Sequence, residues 1–192
     1  MKKLLLPFLM MLIALPLFAQ EAGEGMSPEQ QAWMEYMTPG EQHKLISKAT
    51  GNWKYTSIFW VAPGTEPNVS EGTASAEMIM GGRYLQTKLS GTAWGMPMFG
   101  SSLEGFDNTT KEFLYLWIDN MGTGFALAKG KYDEENKQIV YTGSMTDPLT
   151  KKEMFYKQYN KFLDDNNLQY TMFMQMPDGS EFKSMEVNLT RE

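Results

Sequence analysis

The chain has 192 residues, with 17 lysines and arginines against 23 aspartates and glutamates, and a formal net charge of −6. It has no cysteine and one histidine, which excludes disulfides, thiolate zinc sites and cysteine nucleophiles and argues against multi-histidine metal centres and a Ser-His-Asp triad. The acidic balance speaks against nucleic acid and anionic membrane surfaces as partners, since both reward a basic patch.

Residues 1–19 read as a secretory signal: Lys2 and Lys3, an apolar run from Leu4 to Phe18, then small Ala19. The run is short for a membrane span. Leu17 fits the small-residue cleavage rule imperfectly, and no cysteine follows that could carry a lipid. Cleavage after Ala19 leaves 173 residues (192 minus 19), the size of one domain, in the periplasm or outside the cell, with no membrane span. Removing Lys2 and Lys3 leaves 15 basic against 23 acidic residues, a charge of −8.

A flexible leader, 20–26, precedes a single domain over 27–192, divided into a helical lead-in (27–50) and a β region (51–192). Ser27-Pro28-Glu29-Gln30 has the form of a capping box with proline at the first helical position. Thr38-Pro39-Gly40-Glu41 repeats the device. The first helix carries Trp33, Met34 and Met37 on one face; the second runs through His43, Leu45, Ile46 and Ala49 and stops at Gly51. His43 sits at the edge of the apolar face, which reads as a surface or capping position.

From Asn52 the hydrophobic period changes from 3.6 to 2. Strands are expected at Trp53–Val61, Glu71–Met80, Arg83–Thr92, Met98–Asp107, Glu112–Ile118, Gly124–Tyr132, Gln138–Thr146, Glu153–Phe162, Asn167–Gln175 and Glu181–Thr190. The breaks carry turn chemistry, among them Gly81-Gly82, Asp107-Asn108, Asp119-Asn120 and Pro177-Asp178-Gly179. Ten strands without helical crossovers predict an antiparallel up-and-down barrel, because closure is how a long meander disposes of its edges.

The runs Gly81-Gly82-Arg83-Tyr84-Leu85, Gly105-Phe106-Asp107-Asn108 and Trp117-Ile118-Asp119-Asn120-Met121-Gly122-Thr123-Gly124, with Asp147-Pro148 and Pro177-Asp178-Gly179, resemble the domain of unknown function 1579 family. The likeness covers roughly His43 to Arg191. It implies a lipocalin- or calycin-like barrel and brings no activity with it.

Parity then selects lining residues. Arg83 and Leu85 share one face of their strand, so an inward Leu85 draws Arg83 inward, where it would either read a ligand carboxylate or phosphate or pair with Asp119 or Glu104 to close the barrel end. Tyr115 and Trp117 share parity with Asp119, an aromatic wall ending in a carboxylate. Asp107-Asn108 and Asp119-Asn120 read first as turn residues. Of 17 methionines, 14 remain after subtracting Met1, Met10 and Met11; Met172 and Met174 share a strand face with Met176. Thioethers suit Cu(I), yet without histidine or cysteine beside them they read better as filler of an adaptable apolar site, and neither haem nor any other cofactor is expected. These residues predict a pocket for a small apolar or amphipathic molecule, with an anionic end if Arg83 reads it. Two alternatives stand: a structural protein dimerising through Phe113–Ile118, which is apolar on both faces, and an acid–base enzyme built from Asp119, Arg83 and a tyrosine.

Overall fold

The chain alternates direction at every turn until its last strand returns to its first. A computed structural model describes residues 25–192; the expected signal segment 1–19 lies outside the described residues, as does most of the leader. Two helices, α1 (Pro28–Met37) and α2 (Glu41–Ser47), precede ten strands. These are β1 (Gly51–Phe59), β2 (Asn68–Ile79), β3 (Tyr84–Ala93), β4 (Met96–Asp107), β5 (Glu112–Asp119), β6 (Ala126–Asp133), β7 (Gln138–Thr146), β8 (Glu153–Asp164), β9 (Asn167–Gln175) and β10 (Glu181–Arg191). Each strand pairs antiparallel with its sequence neighbours, and β1 pairs with β10 from Trp53↔Arg191 to Phe59↔Met185, closing the barrel. The up-and-down barrel read from the turn spacing is the fold observed.

The lead-in departs from expectation in two places. The first capping box forms: the Ser27 hydroxyl accepts from the Gln30 amide at 3.2 Å, and Gln30 Oε1 accepts from the Ser27 amide at 2.8 Å. The second does not use Thr38, whose hydroxyl instead donates back to the Met34 carbonyl at 2.6 Å. Gly40 caps α2, and His43 Nδ1 accepts from the Gly40 amide at 3.0 Å. His43 is therefore a capping residue, though buried against Phe106 rather than on the surface; burial holds its imidazole below the usual value, with the nearby Arg83 charge acting the same way. No residue of α1 is buried, and Trp33, Met34 and Met37 all stand exposed.

Helix α2 and its C-terminal turn stop one end of the barrel. Ile46 and Ala49 pack with Trp53, Ile139, Leu168 and Leu189, and full burial of side chains such as Ile46 and Ile139 contributes about 1.5–3 kcal/mol each. Trp53 Nε1 donates to the Ala49 carbonyl at 2.9 Å. Arg191, at the end of β10, lies over the Trp53 ring at 4.2 Å. Its guanidinium donates to the carbonyls of Thr50 (2.5 Å), Lys48 (2.8 Å) and Asp165 (3.0 Å). One cation thus ties the last strand, the carbonyl end of α2 and the β8–β9 turn together.

Antiparallel partners share a face, so the register defines the lumen. One rung runs Met78, Leu85, Glu104, Tyr115, Ala128, Gly143, Tyr156, Met174, Phe182. Small residues on it face large ones, and glycines make the room. A methyl group at Gly130 would sit 2.6 Å from the Val140 carbonyl oxygen and 2.7 Å from Tyr141 Cδ1, and one at Gly143 would meet Tyr156 Cζ at 2.8 Å. The Trp117 ring occupies the room left by Gly100 in the same way.

Gly130→Ala must displace backbone as well as a ring, so it is expected to lower stability by about 1–3 kcal/mol. Gly124→Ala, which meets nothing within 4 Å, should stay within about 0.5 kcal/mol of the parent. Urea unfolding midpoints of the two variants measure the difference.

Candidate functional site

The barrel is filled unevenly along its axis. At the α2 end Tyr141, Ile139, Leu168, Gln158 and Asn160 are almost completely buried. The enclosed cavity there, among Ile46, Glu104, Asn160 and Tyr170, is about 10 Å3, the room of one water molecule. Further up, Leu89, Met145, Met172, Met174 and Met185 also point inward, yet each keeps accessible surface. A side chain directed into a closed barrel keeps such surface only where the lumen is not packed. At the far end Met98, Trp117, Met154 and Phe182 ring the mouth, all half-buried.

Most of the lining residues expected from parity come together. Tyr115, Trp117, Met172 and Met174 all face the lumen. Trp117 is fixed at the mouth by a hydrogen bond from Nε1 to Asp119 Oδ2 at 2.6 Å, while Asp119 Oδ1 accepts from the Met121 and Gly122 amides at 2.9 and 3.1 Å. Asp119 is thus both turn-maker and clamp. Leu85 faces inward as well, but is 2 % exposed and belongs to the packed base.

Arg83 does not line the lumen. The left-handed turn through Met80, Gly81 and Gly82 delays the strand until Tyr84 and places Arg83 outside it. Its guanidinium donates to the Met80 carbonyl at 3.0 Å and to the Met37 carbonyl, fastening the end of α1. Asn108 Nδ2 does likewise, donating to Glu35 and Thr38 carbonyls at 2.8 Å each. Arg83 pairs with neither Asp119 nor Glu104. It stands at the α2 end and Asp119 at the mouth, so the acid–base site built from that pair is not assembled.

Sequence reading missed the strongest polar group of the interior. Glu104 is 6 % exposed and accepts a hydrogen bond from the Tyr141 hydroxyl. Tyr115 and Tyr170 surround it; burial and the Glu104 charge raise both phenols above their usual value. Gln158 Nε2 donates to Asn160 Oδ1 at 2.8 Å on the same floor. Burial pushes the Glu104 carboxyl from 4.5 up to about 7, against the opposing pull of the Tyr141 hydrogen bond. The signal was present: Glu104 shares parity with Met98, Ser102 and Phe106, so an inward Phe106 implies an inward carboxylate.

Outside the wall, no helix among the described residues covers the second face of β5. Leu114, Leu116, Leu103, Leu127, Phe155 and Tyr84 line an apolar trough of about 560 Å3. The helices do not reach it: α1 buries nothing and α2 sits against the ends of β3 and β4. No helix among the described residues is long and apolar enough to cross a membrane.

The Glu104 carboxyl has a sign that can be tested. Its proton is held more tightly in the folded chain than in the unfolded one, so its contribution is whole below about pH 4.5 and lost as pH rises toward 7, by about 3 kcal/mol. Asp107, Asp133, Asp147, Asp164 and Asp178 are depressed by hydrogen bonds within their own turns and act in the opposite direction, in more acid solution. Stability should therefore fall between about pH 5 and 8. Glu104→Gln keeps an oxygen for Tyr141 and cannot ionise, so its chemical unfolding midpoint should stay nearly flat over that window; an unchanged slope would assign the effect elsewhere.

Known structures share this architecture. Rv2717c from M. tuberculosis aligns with a TM-score of 0.57 at 14% identity, over 81% of this chain and 99% of that one. The S-type phycobiliprotein lyase CPES from Guillardia theta aligns with a TM-score of 0.56 at 7% identity, over 83% and 96%. At these identities the likeness is one of fold. No curated protein matches the sequence. The model of the family described as "Protein of unknown function (DUF1579)" matches residues 38–191, almost all of the ordered lead-in turn and barrel: the chain belongs to the DUF1579 family.

Proposed function

We propose that this chain is an exported binding protein, periplasmic or secreted, whose barrel takes up a small apolar or amphipathic molecule through the methionine-ringed mouth. The observation that carries the reading is the accessible surface kept by inward-facing Leu89, Met172 and Met174 inside a closed barrel. Thioethers are flexible and polarisable, so such a wall adapts to the shape of its contents. The stacked Trp117 gives it one rigid side, and the base below, shut by α2 and Arg191, gives it a floor. Apolar walls with a few polar groups at depth are the usual build of a small-molecule site. The start of the chain supports export through its signal-like residues 1–19.

Native mass spectrometry of the protein purified from its own host is expected to show an adduct that organic solvent releases. A strictly ligand-free species, together with no quenching of Trp117 emission by added apolar molecules, would sink this reading.

A second reading has its own observation. The trough over Leu114, Leu116 and Leu127 is a contiguous apolar surface of the kind that marks interfaces, and a dimer formed there would cover it. Sedimentation at micromolar concentration is expected to show a dimer that Leu116→Lys converts to monomer; a parent chain that sediments as monomer removes the motive.

A further inference from the structure

The chemistry of the lumen narrows what it would hold, an inference that rests on the lumen being a ligand site. Two hydroxyls inside the barrel, those of Tyr55 (4 % exposed) and Tyr156 (2 % exposed), are buried without a hydrogen-bond partner. They come from different walls. Tyr55 of β1 lies across Gly72 and Gly91, its rung partners on β2 and β3, and Tyr156 of β8 lies over Gly143 of β7. Their rungs continue to Met98 on one side and Met174 on the other, so both hydroxyls stand between the polar floor and the methionine mouth. Burial raises both phenols, Tyr156 up to about 12, so each remains an O–H donor. A buried donor without an acceptor is destabilising, and native proteins rarely leave one. An incoming oxygen atom would relieve it.

Charge works in the same direction. Among the described strand residues that face inward, the acids are Glu104 on the floor and Asp119 at the rim. The inward cation is Arg191, at the sealed base, already committed to three carbonyls and the Trp53 ring. Arg83, the residue expected to receive an anionic end, is outside the lumen holding α1. A carboxylate entering here would lose its water and find no free cation.

We infer that the barrel selects an electrically neutral apolar molecule bearing a hydrogen-bond-accepting oxygen (an ester, ketone or amide carbonyl), read by the Tyr55 or Tyr156 hydroxyl, and that it discriminates against carboxylates.

Three probes of one shape separate the possibilities by titration calorimetry at about pH 6, where an ordinary carboxylate is ionised: methyl 2-naphthoate, 2-naphthoate and 2-propylnaphthalene. The ester should bind tightest, with the hydrocarbon roughly tenfold weaker for want of the hydrogen bond and the anion weaker still. Tyr55→Phe or Tyr156→Phe should erase the ester's advantage over the hydrocarbon. Because each removes only an unpaired hydroxyl, neither should lower the unfolding midpoint. A merely structural hydroxyl would give the reverse: lower stability and an unchanged ester preference. An anion that binds as well as the ester, or Phe variants that keep the preference, would overturn the inference while leaving the lumen a binding site. If none of the three probes binds, the ligand-site reading falls, and this inference with it.

Discussion

Pairing of β1 with β10 is the constraint on which the rest of the molecule depends. Without it, two strands would present long open edges, and the rungs that carry the interior would have no circumference to follow. Closure with ten strands also fixes a width. Eight strands make a barrel that side chains can just fill, and diameter grows with strand number. A ten-stranded barrel must spend large aromatics to fill its middle, and here they lie across glycines of neighbouring strands: Tyr55 on Gly72 and Gly91, Trp117 on Gly100, Tyr141 on Gly130. Glycine weakens a strand through entropy and exposed backbone; an aromatic laid over it restores the missing contact.

The same width explains why the interior is graded. Near α2 the plug of Ile46 and Ala49 shortens the space to be filled, and the side chains there are buried outright. Away from the plug the filling passes to methionine, the least shape-committed of the apolar residues. The cations sort accordingly. Arg191 and Arg83 both sit at the plugged end, where the carbonyls of Lys48, Thr50 and Met37 stand unpaired at helix ends and can accept from them. With its arginines used there, the lumen holds a carboxyl with no counter-ion. Protonation, favoured by burial and opposed by the Tyr141 hydroxyl, is the solution left to it.

The alternation of apolar and polar residues, punctuated by Asx and Gly turns, carried the architecture because barrel topology is local: every strand pairs with its sequence neighbour. Site residues are set by where a strand begins, which depends on turn geometry. Arg83 illustrates the limit. Its parity with Leu85 was right as arithmetic, but Arg83 still belongs to the left-handed turn and never enters the strand. Thr38 failed for a similar reason: its place in a capping pattern was real, yet the helix began at Glu41 and gave the cap to Gly40 and His43. Asn108 and Arg191 were not legible at all, because the carbonyls they hold are brought to them by distant segments. Trp117 and Asp119 were legible as a pair, since their contact spans two residues of one strand.

The two apolar faces of β5 do not compete. Tyr115 and Trp117 point along the inside of the wall, whose far end carries Met98, Met154 and Phe182. Leu114 and Leu116 point away from it, into a trough on the flank. A partner seated on the flank would cover the trough and leave the mouth free, so occupancy of one face does not require emptiness of the other. Behind the trough the inner face carries Ala128 and Gly143, the latter making room for the Tyr156 ring.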